Sequence, residues 1–262
     1  MTTTDPGAET TSFGFEEIAL DEKEARVGGV FSSVANKYDL MNDVMSAGIH
    51  RIWKHDTISQ LNPQPGESLL DVAGGTGDLA KAFIQRADRA EKRHKAAHPA
   101  KAVVCDINEE MLAAGQARKD MQAFGGRIDW VCGNAEALPF ASDTFDALTI
   151  VFGIRNVTHR DRALAEFRRV LKPAGRLAIL EFSHMTVPAL QRLYDAYSFR
   201  MIPAFGRMIA GDSESYRYLV ESIRKFPRQD AFRQEVEEAG FSRVSVTNFS
   251  GGIAALHFGW AV

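Results

Sequence analysis

Short apolar runs alternate with longer amphipathic segments from Ser68 to the end of the chain, and this alternation restricts the fold more than any other feature. The runs that predict strands are Ser68–Val72, Ala102–Asp106, Ile128–Cys132, Phe145–Val151, Arg176–Phe182, Arg243–Thr247 and Ala254–Trp260. The segments that predict helices are Asp78 to about Ala97, Glu109 to about Phe124, Arg160–Leu171 and Asp230–Ala239. Strands that alternate with helices form a parallel sheet covered on both faces. The sequence therefore predicts a doubly wound α/β domain with a mostly parallel seven-stranded sheet.

A single domain is expected, because no linker rich in Pro, Gly or Ser interrupts the 262-residue chain after about residue 30. We predict a disordered tail over 1–23 and one domain over 24–262. Within it, residues 24–60 are helix-like and precede the first strand, whereas residues 184–228 form an insertion rich in aromatic residues and Met. Ligands of open parallel sheets lie outside the carboxyl ends of the strands. The two segments are therefore predicted to be an N-terminal helical cap and an inserted helical lid.

The charge pattern argues against a nucleic-acid partner. The formal net charge is −3, and the one basic cluster, between Arg86 and Lys101, contains no aromatic residue that could stack on a base. His94 and His98 share a helix face there, but no Cys or acid completes a zinc signature, so no metal is expected. The cluster is interpreted as a solvated helix and loop.

The cysteines and the N-terminus indicate a cytoplasmic protein. Cys105 and Cys132 lie at the ends of predicted strands and are interpreted as core thiols in a reducing compartment. The N-terminus has neither the basic start nor the apolar core of a signal peptide. No stretch approaches the ~20 apolar residues that cross a bilayer, so the strongest membrane role expected is peripheral contact at the inner face.

A glycine-rich loop follows the first predicted strand and indicates a nucleoside cofactor. Gly74, Gly75, Thr76 and Gly77 allow the backbone N–H groups to approach a ligand closely. The spacing also fits a dinucleotide fingerprint, so a dehydrogenase remains an alternative. Asp71, at the strand end, would repel a pyrophosphate and attract the cationic amino-acid end of S-adenosylmethionine. We therefore favour S-adenosylmethionine as the cofactor.

The ends of the next two strands extend this candidate site. Asp106, which is followed by Ile107, is placed to bind ribose hydroxyls, a role that fits either cofactor. The third strand is followed by Asn134, Ala135 and Glu136, an amide and an acid where an adenine amino group could be recognised. The three strand ends together favour the methyl donor.

Longer stretches of the sequence resemble one enzyme family. Residues 30–54 (VFSSVANKYDLMNDVMSAGIHRIWK), residues 146–157 (DALTIVFGIRNV), residues 169–183 (RVLKPAGRLAILEFS) and FPRQDAF at 226–232 are similar to the ubiquinone/menaquinone biosynthesis C-methyltransferases of the UbiE type. The resemblance covers nearly everything after Phe13. It implies the class I S-adenosylmethionine-dependent methyltransferase fold and C-methylation of a polyprenylated benzoquinol or of demethylmenaquinol.

The resemblance also implies residue roles and partners. Cofactor contacts carry over to Thr76, Asp106, Asn134 and Ala135, whereas the serine common before FG is Val151 here. The associations open to such an enzyme are peripheral membrane contact, contact with a quinone-biosynthesis complex and a homodimer.

Catalytic candidates come from the fourth strand end and the KYDLMN segment. A guanidinium and an amide at Arg155 and Asn156 suit the phenolate that develops when the quinol loses a proton. Tyr38 could close over the cofactor or the ring. In the lid, apolar residues suited to an isoprenoid tail are Leu193, Tyr194, Tyr197, Phe199, Met201, Ile202, Phe205, Met208 and Ile209. The alternatives are an NAD-dependent oxidoreductase and a non-catalytic cofactor-binding subunit of a quinone-biosynthesis assembly.

Overall fold

The structure is a computed structural model that describes residues 10–19, 22–23, 26–29, 43, 46, 48–94, 98–186 and 213–262. The strands are β1 Thr10–Phe13, β2 Glu16–Ala19, β3 Ser68–Val72, β4 Lys101–Asp106, β5 Ile128–Cys132, β6 Phe145–Val151, β7 Leu171–Phe182, β8 Phe241–Phe249 and β9 Ala254–Ala261. The helices are α1 His50–Leu61, α2 Asp78–His94, α3 Glu109–Ala117, α4 Lys119–Gln122, α5 Arg160–Val170, α6 Ser213–Lys225 and α7 Gln229–Glu238.

Seven strands form one sheet in the order β5-β4-β3-β6-β7-β9-β8. The five strands from β5 to β7 are parallel to their neighbours, and β9 runs antiparallel between β7 and β8. This arrangement confirms the predicted mostly parallel, seven-stranded sheet. After β5 the chain returns to the other side of β3, so the crevice of this sheet opens at the carboxyl ends of β3 and β6.

Two apolar cores cover the two faces of the sheet. Consecutive strand residues point to opposite faces, so Leu69 joins the core built from α1, α2 and α6, whereas Leu70 joins the core built from α5 and α7. Both leucines are fully buried. The near-continuous apolar character of β3 follows from this double coverage.

The helix predicted from Glu109 to about Phe124 is divided in two. Arg118 separates α3 from α4 and has an extended backbone conformation. Its guanidinium donates hydrogen bonds to Asp78, Thr76 and Asp120. These tertiary bonds, which local periodicity does not reveal, accompany the break in the helix.

The disordered tail predicted over 1–23 is wrong for residues 10–19. β1 and β2 pair as an antiparallel hairpin, which packs on α6. The ring of Phe13 stacks on Tyr218 with centroids 4.1 Å apart, and the Phe15 N–H donates to Glu221 Oε2 at 3.0 Å. A two-stranded hairpin is marginal alone, so its order depends on a helix more than 190 residues away in the chain.

The prediction of two core thiols is also wrong for one of the cysteines. Cys105 is buried in β4, but Cys132 is exposed. The reason is its position, because β5 is the edge strand of the sheet. The predicted lid residues between 187 and 212, including the apolar channel, and Tyr38 lie outside the described residues.

Candidate active site

A cavity lies at the carboxyl ends of β3, β4, β5 and β6, where the topology predicts a ligand. Each strand contributes residues at its carboxyl end or directly after it. The lining residues from these strand ends are Asp71, Val72, Ala73, Gly74, Gly75, Thr76, Asp106, Ile107, Asn108, Gly133, Asn134, Ala135, Glu136, Val151, Phe152 and Gly153. Nine of the ten predicted cofactor-binding residues are among them.

Asp71 provides a buried carboxylate of which only one oxygen accepts a hydrogen bond from the described residues. Its side chain is 1% exposed, and Thr149 Oγ1 donates to Oδ1 at 2.7 Å. Oδ2 has no hydrogen-bond partner among the described residues. Burial raises the pKa of Asp71 to about 7, against a smaller opposing effect of the Thr149 hydrogen bond. Lys54 and the backbone N–H of Ala80 also lower this pKa, by less than burial raises it. A cationic ligand group in the cavity would give Oδ2 a hydrogen-bond partner and further favour the ionised form.

Two glycines of the turn, Gly75 and Gly77, have different structural roles. Gly75 has φ +53°, lines the cavity and donates its N–H to Asp106 Oδ2 at 2.9 Å. Gly77 has φ +80° and is not among the residues that line the cavity, so its contact with the cofactor stays a prediction. A Cβ at this position would meet Met121 at 2.5 Å and Trp130 at 2.8 Å. Gly77 therefore permits close packing at the start of α2.

Asp106 is held in place by backbone donors. Besides the bond from Gly75, its Oδ1 accepts the Asn108 N–H at 2.9 Å. Burial raises its pKa despite these bonds. Each carboxylate oxygen can accept a further hydrogen bond, so the carboxylate retains capacity for ribose hydroxyls. Ile107 lies beside it as an exposed apolar wall.

Glu136 has a structural partner that the sequence did not suggest. Its Oε1 accepts the backbone N–H groups of Thr158 and His159, at 3.0 and 2.9 Å, directly before α5. Asn134 Oδ1 similarly accepts the Glu136 N–H at 2.9 Å. Both residues still line the cavity, but these oxygens already satisfy backbone donors.

Arg155 and Asn156 are adjacent in the sequence, but their side chains have different surroundings. They lie in a 3-10 turn, Ile154–Asn156, after β6. Asn156 lines the cavity, but Arg155 does not. The Arg155 side chain is 1% exposed and is paired with the equally buried Glu181 of β7, with Nη1 2.8 Å from Oε1. Its Nη1 also donates to the Phe152 carbonyl. The predicted direct contact of Arg155 with a phenolate is therefore not what the structure shows.

Several lining residues were not predicted from the sequence. Lys54 of α1 lines the cavity and lies 3.6 Å from Asp78 Oδ2, and Val27 and Gly28 come from the N-terminal cap. Burial, the largest influence on Asp78, raises its pKa, but Lys54 and Arg118 outweigh it and leave the pKa lowered. Lys54 ends the family-like stretch 30–54, but the sequence predicts no role for it in the site, and Val27 and Gly28 precede that stretch. Only the folded chain brings them to the strand ends.

Comparison with known proteins decides the family. A model of the ubiE/COQ5 methyltransferase family matches residues 19–261. The chain belongs to this family. Membership confirms the predicted S-adenosylmethionine-dependent C-methyltransferase and does not favour the oxidoreductase alternative.

Curated relatives of the ubiE/COQ5 family match almost the whole chain. The ubiquinone/menaquinone biosynthesis C-methyltransferase UbiE of Roseobacter denitrificans is 54% identical over 257 residues, which cover 98% of this chain and 99% of the relative. The mitochondrial 2-methoxy-6-polyprenyl-1,4-benzoquinol methylase of Danio rerio is 50% identical over 275 residues, which cover 96% of this chain and 84% of the relative.

Solved structures show the same fold at low sequence identity. An S-adenosylmethionine-dependent methyltransferase of Thermotoga maritima, described as a possible histamine N-methyltransferase, has a TM-score of 0.59 and 18% identity. The match covers 89% of this chain and 99% of that one. The predicted class I methyltransferase fold is thus confirmed.

Proposed function

We propose that this ubiE/COQ5 family member methylates a ring carbon of a polyprenylated quinol, a 2-polyprenyl-6-methoxy-1,4-benzoquinol or a demethylmenaquinol, in ubiquinone or menaquinone biosynthesis. The observation that carries the proposal is the unpartnered Asp71 Oδ2 beside the glycine turn, in a cavity of this family's fold. The names of the relatives from Roseobacter denitrificans and Danio rerio support the acceptor.

The residues present fit the donor. S-adenosylmethionine supplies a methyl group on a cationic sulfur, and it also carries a cationic ammonium group. The Asp71 carboxylate would hold the ammonium group, and the N–H groups of the turn at Gly74–Thr76 can approach the ligand closely. Asp106 would bind the ribose, and Asn134, Ala135 and Ile107 would enclose the base. The orphaned carboxylate disfavours a pyrophosphate in the same place, which separates this site from a dinucleotide site.

The acceptor would lie at the end of β6. In-line transfer requires the ring carbon to be held opposite the methyl–sulfur bond, and the carbon becomes nucleophilic as a ring hydroxyl loses its proton. The Asn156 amide lines the cavity and would donate to the resulting oxyanion. Arg155 would not contact the ring. It would support the turn that carries Asn156, through its hydrogen bond to the Phe152 carbonyl and its ion pair with Glu181. Tyr38 and the apolar lid residues stay predictions for closure over the ring and its tail.

A polyprenylated acceptor requires access to a bilayer, and one surface suits peripheral contact. The described residues contain no helix long and apolar enough to cross a membrane. A groove between α1 and α2 is lined by Arg51, His55, Arg86 and Arg89. Ile52 directly follows Arg51 in α1, outside the lining of the groove, and is 60% exposed. Exposed apolar and cationic groups together suit an anionic bilayer surface, which we take as the site of cytoplasmic membrane contact.

Quinone profiling of cells that lack the protein tests the proposed function. Such cells should accumulate the quinone intermediate that lacks one ring methyl group, and the identity of that intermediate gives the acceptor ring. Complementation with an Asn156→Ala variant should restore less of the methylated quinone than the wild type does. An unchanged quinone profile would contradict the proposal.

A further inference from the structure

Tyr218 connects the N-terminal hairpin to the cavity. It belongs to α6, is 5% exposed and stacks on Phe13 through its ring, with an interplanar angle of 17°. Its hydroxyl donates to Asn156 Oδ1 at 3.0 Å. Tyr218 does not line the cavity itself. It therefore reaches the reacting region only through Asn156.

We propose that Tyr218 is a positioning residue that fixes the orientation of the Asn156 amide, so that its NH2 group is presented to the ring oxygen of the quinol. An amide has one acceptor oxygen and one donor nitrogen. Because the oxygen is engaged by Tyr218, the nitrogen is the group left for the cavity. The inference rests on the proposed function, since the amide matters only if an oxyanion develops beside it.

The surroundings favour this direction of the hydrogen bond. Burial raises the pKa of Tyr218 to about 12, opposed by Arg155, so its hydroxyl keeps its proton and remains a donor. The side-chain hydrogen bonds that Arg155 makes in the described structure run from Nη1 to Glu181 and to the Phe152 carbonyl, and none goes to the Asn156 oxygen. In a rotated amide, Oδ1 would instead face an oxyanion, and the two acceptors would repel each other.

The hairpin holds Tyr218 in place from outside. Phe13 covers the Tyr218 ring, and the Phe15 N–H donates to Glu221, one turn further along α6. Lys225 of the same helix lies 3.4 Å from Glu17 of the hairpin. Residues 13–17 therefore clamp the helix that carries the donor.

The test compares Tyr218→Phe with Ser222→Ala in steady-state methyl transfer to a short-tailed quinol. Ser222 is a matched control, since it is also buried on α6 and its hydroxyl donates only to the Leu219 carbonyl of its own helix. Loss of the Tyr218 hydroxyl should lower kcat about 3- to 10-fold, which corresponds to one net hydrogen bond. The Kd for S-adenosylhomocysteine should not change, and Ser222→Ala should keep the wild-type kcat.

A double-mutant cycle separates positioning from a general loss of structure. In an Asn156→Ala background, Tyr218→Phe should have no further effect on kcat, because the group through which it acts is gone. An equal loss of kcat in both backgrounds would overturn the inference, as would an unchanged kcat in Tyr218→Phe alone. A parallel fall in kcat, in S-adenosylhomocysteine affinity and in Tm would also overturn it.

Two further measurements cover the remaining outcomes. If Tyr218→Phe does not fold, Phe13→Leu loosens the Tyr218 ring and retains its hydroxyl, and it should lower kcat about 2-fold at unchanged S-adenosylhomocysteine affinity. A wild-type kcat in that variant would then contradict the inference. Absence of quinol methylation by the wild-type protein would instead overturn the proposed function, on which the inference rests.

Discussion

Asp71 combines two properties that rarely occur together in one side chain. It is fully buried, and one of its oxygens has no partner in the described part of the chain. Most buried polar atoms are hydrogen-bonded, and an exception calls for an explanation. A cationic ligand group provides one, and it links the ionisation of Asp71 to ligand affinity.

The affinity for S-adenosylhomocysteine should therefore depend on pH. With its pKa raised to about 7, Asp71 is largely protonated at pH 6 and ionised at pH 8 in the unliganded protein. Because the ammonium group prefers the carboxylate, the Kd should be about tenfold higher at pH 6 than at pH 8. Calorimetry in buffers of different ionisation enthalpy should show proton release on binding.

The Asp71→Asn variant is the control for this pH dependence. Its Kd should be higher than that of the wild type at pH 8 and flat between pH 6 and 8. The stability of the unliganded protein should change with pH in the opposite direction to the ligand affinity. A folded-state pKa above the unfolded value stabilises the unliganded protein at low pH, and this contribution is lost as the pH rises to 7. A wild-type pH profile in Asp71→Asn would contradict the assignment.

Arg155→Ala should be strongly destabilising. It would leave Glu181 buried without its cationic partner, and breaking a buried pair in this way costs about 3–5 kcal/mol. Arg233→Ala removes an exposed pair with Glu237 on α7 and should cost only about 0.3–0.5 kcal/mol. Urea unfolding measures both. Equal losses would show that the buried pair has no special role.

The sequence locates the strand-end residues well but does not reveal their hydrogen-bond partners. Asp71, Asp106 and Asn134 each follow an apolar run, so the order of strands suffices to bring them together. The burial of Arg155 depends on Glu181 in another strand, 26 residues further along. No local pattern encodes that contact, which is why a direct catalytic role was predicted for Arg155.

At the scale of elements, α5 begins without a side-chain cap of its own. The side chain of its N-cap residue, His159, makes no capping hydrogen bond. Instead, Glu136 from the loop after β5 accepts the backbone N–H groups of Thr158 and His159. One of the orphan donors at the helix start, the N–H of the N-cap residue His159, is thus satisfied from a distant loop. The carboxylate also lies where it complements the positive end of the helix dipole.

Glu136→Ala should therefore destabilise the fold more than it weakens ligand binding. Loss of this cap should lower the free energy of unfolding by about 1–2 kcal/mol. Glu136→Gln keeps an acceptor oxygen and should retain most of that stability. The measurements are urea unfolding and S-adenosylhomocysteine binding. A large loss of affinity with unchanged stability in both variants would restore the adenine contact inferred from sequence.

Element boundaries are predictable where local pattern sets them. The predicted helix Asp230–Ala239 ends where expected: its C-cap is Ala239, and Gly240 follows with φ +91°, the left-handed conformation that favours glycine after a helix. The division of the α3–α4 segment at Arg118 and the hairpin over 10–19 depend on tertiary partners, Asp78 and Tyr218. Periodicity carries no information about either.

At the scale of the whole molecule, the two faces of the sheet differ in the surface that their helices expose. The groove lined by Arg86 and Arg89 belongs to α2 on one face, whereas α5 covers the other. Helix α5 also carries cations, with Arg162 exposed among them, but none of the exposed large apolar residues of the described chain lies on it. The combination of a cationic groove with exposed Ile52 therefore predicts which side meets a bilayer.

Vesicle co-sedimentation tests whether the α1–α2 side of the molecule binds a bilayer. The protein should bind vesicles with anionic headgroups and not those of neutral phospholipid alone. Arg89→Glu should weaken binding by more than about fivefold, since each cation near such a surface contributes about 1 kcal/mol. Arg162→Glu, an equal charge change at an exposed position of α5, should have little effect. Equal effects of the two changes would exclude the groove as the docking surface.

The most direct test of the central claim follows a labelled methyl group. The purified protein is incubated with S-adenosylmethionine that carries a 13C-methyl group and with a short-tailed 2-polyprenyl-6-methoxy-1,4-benzoquinol or demethylmenaquinol, and the product is analysed by NMR. The expected result is a new 13C-methyl group bonded to a ring carbon, with S-adenosylhomocysteine formed in equal amount. Label found on a ring oxygen, or no transfer to either quinol, would contradict the account.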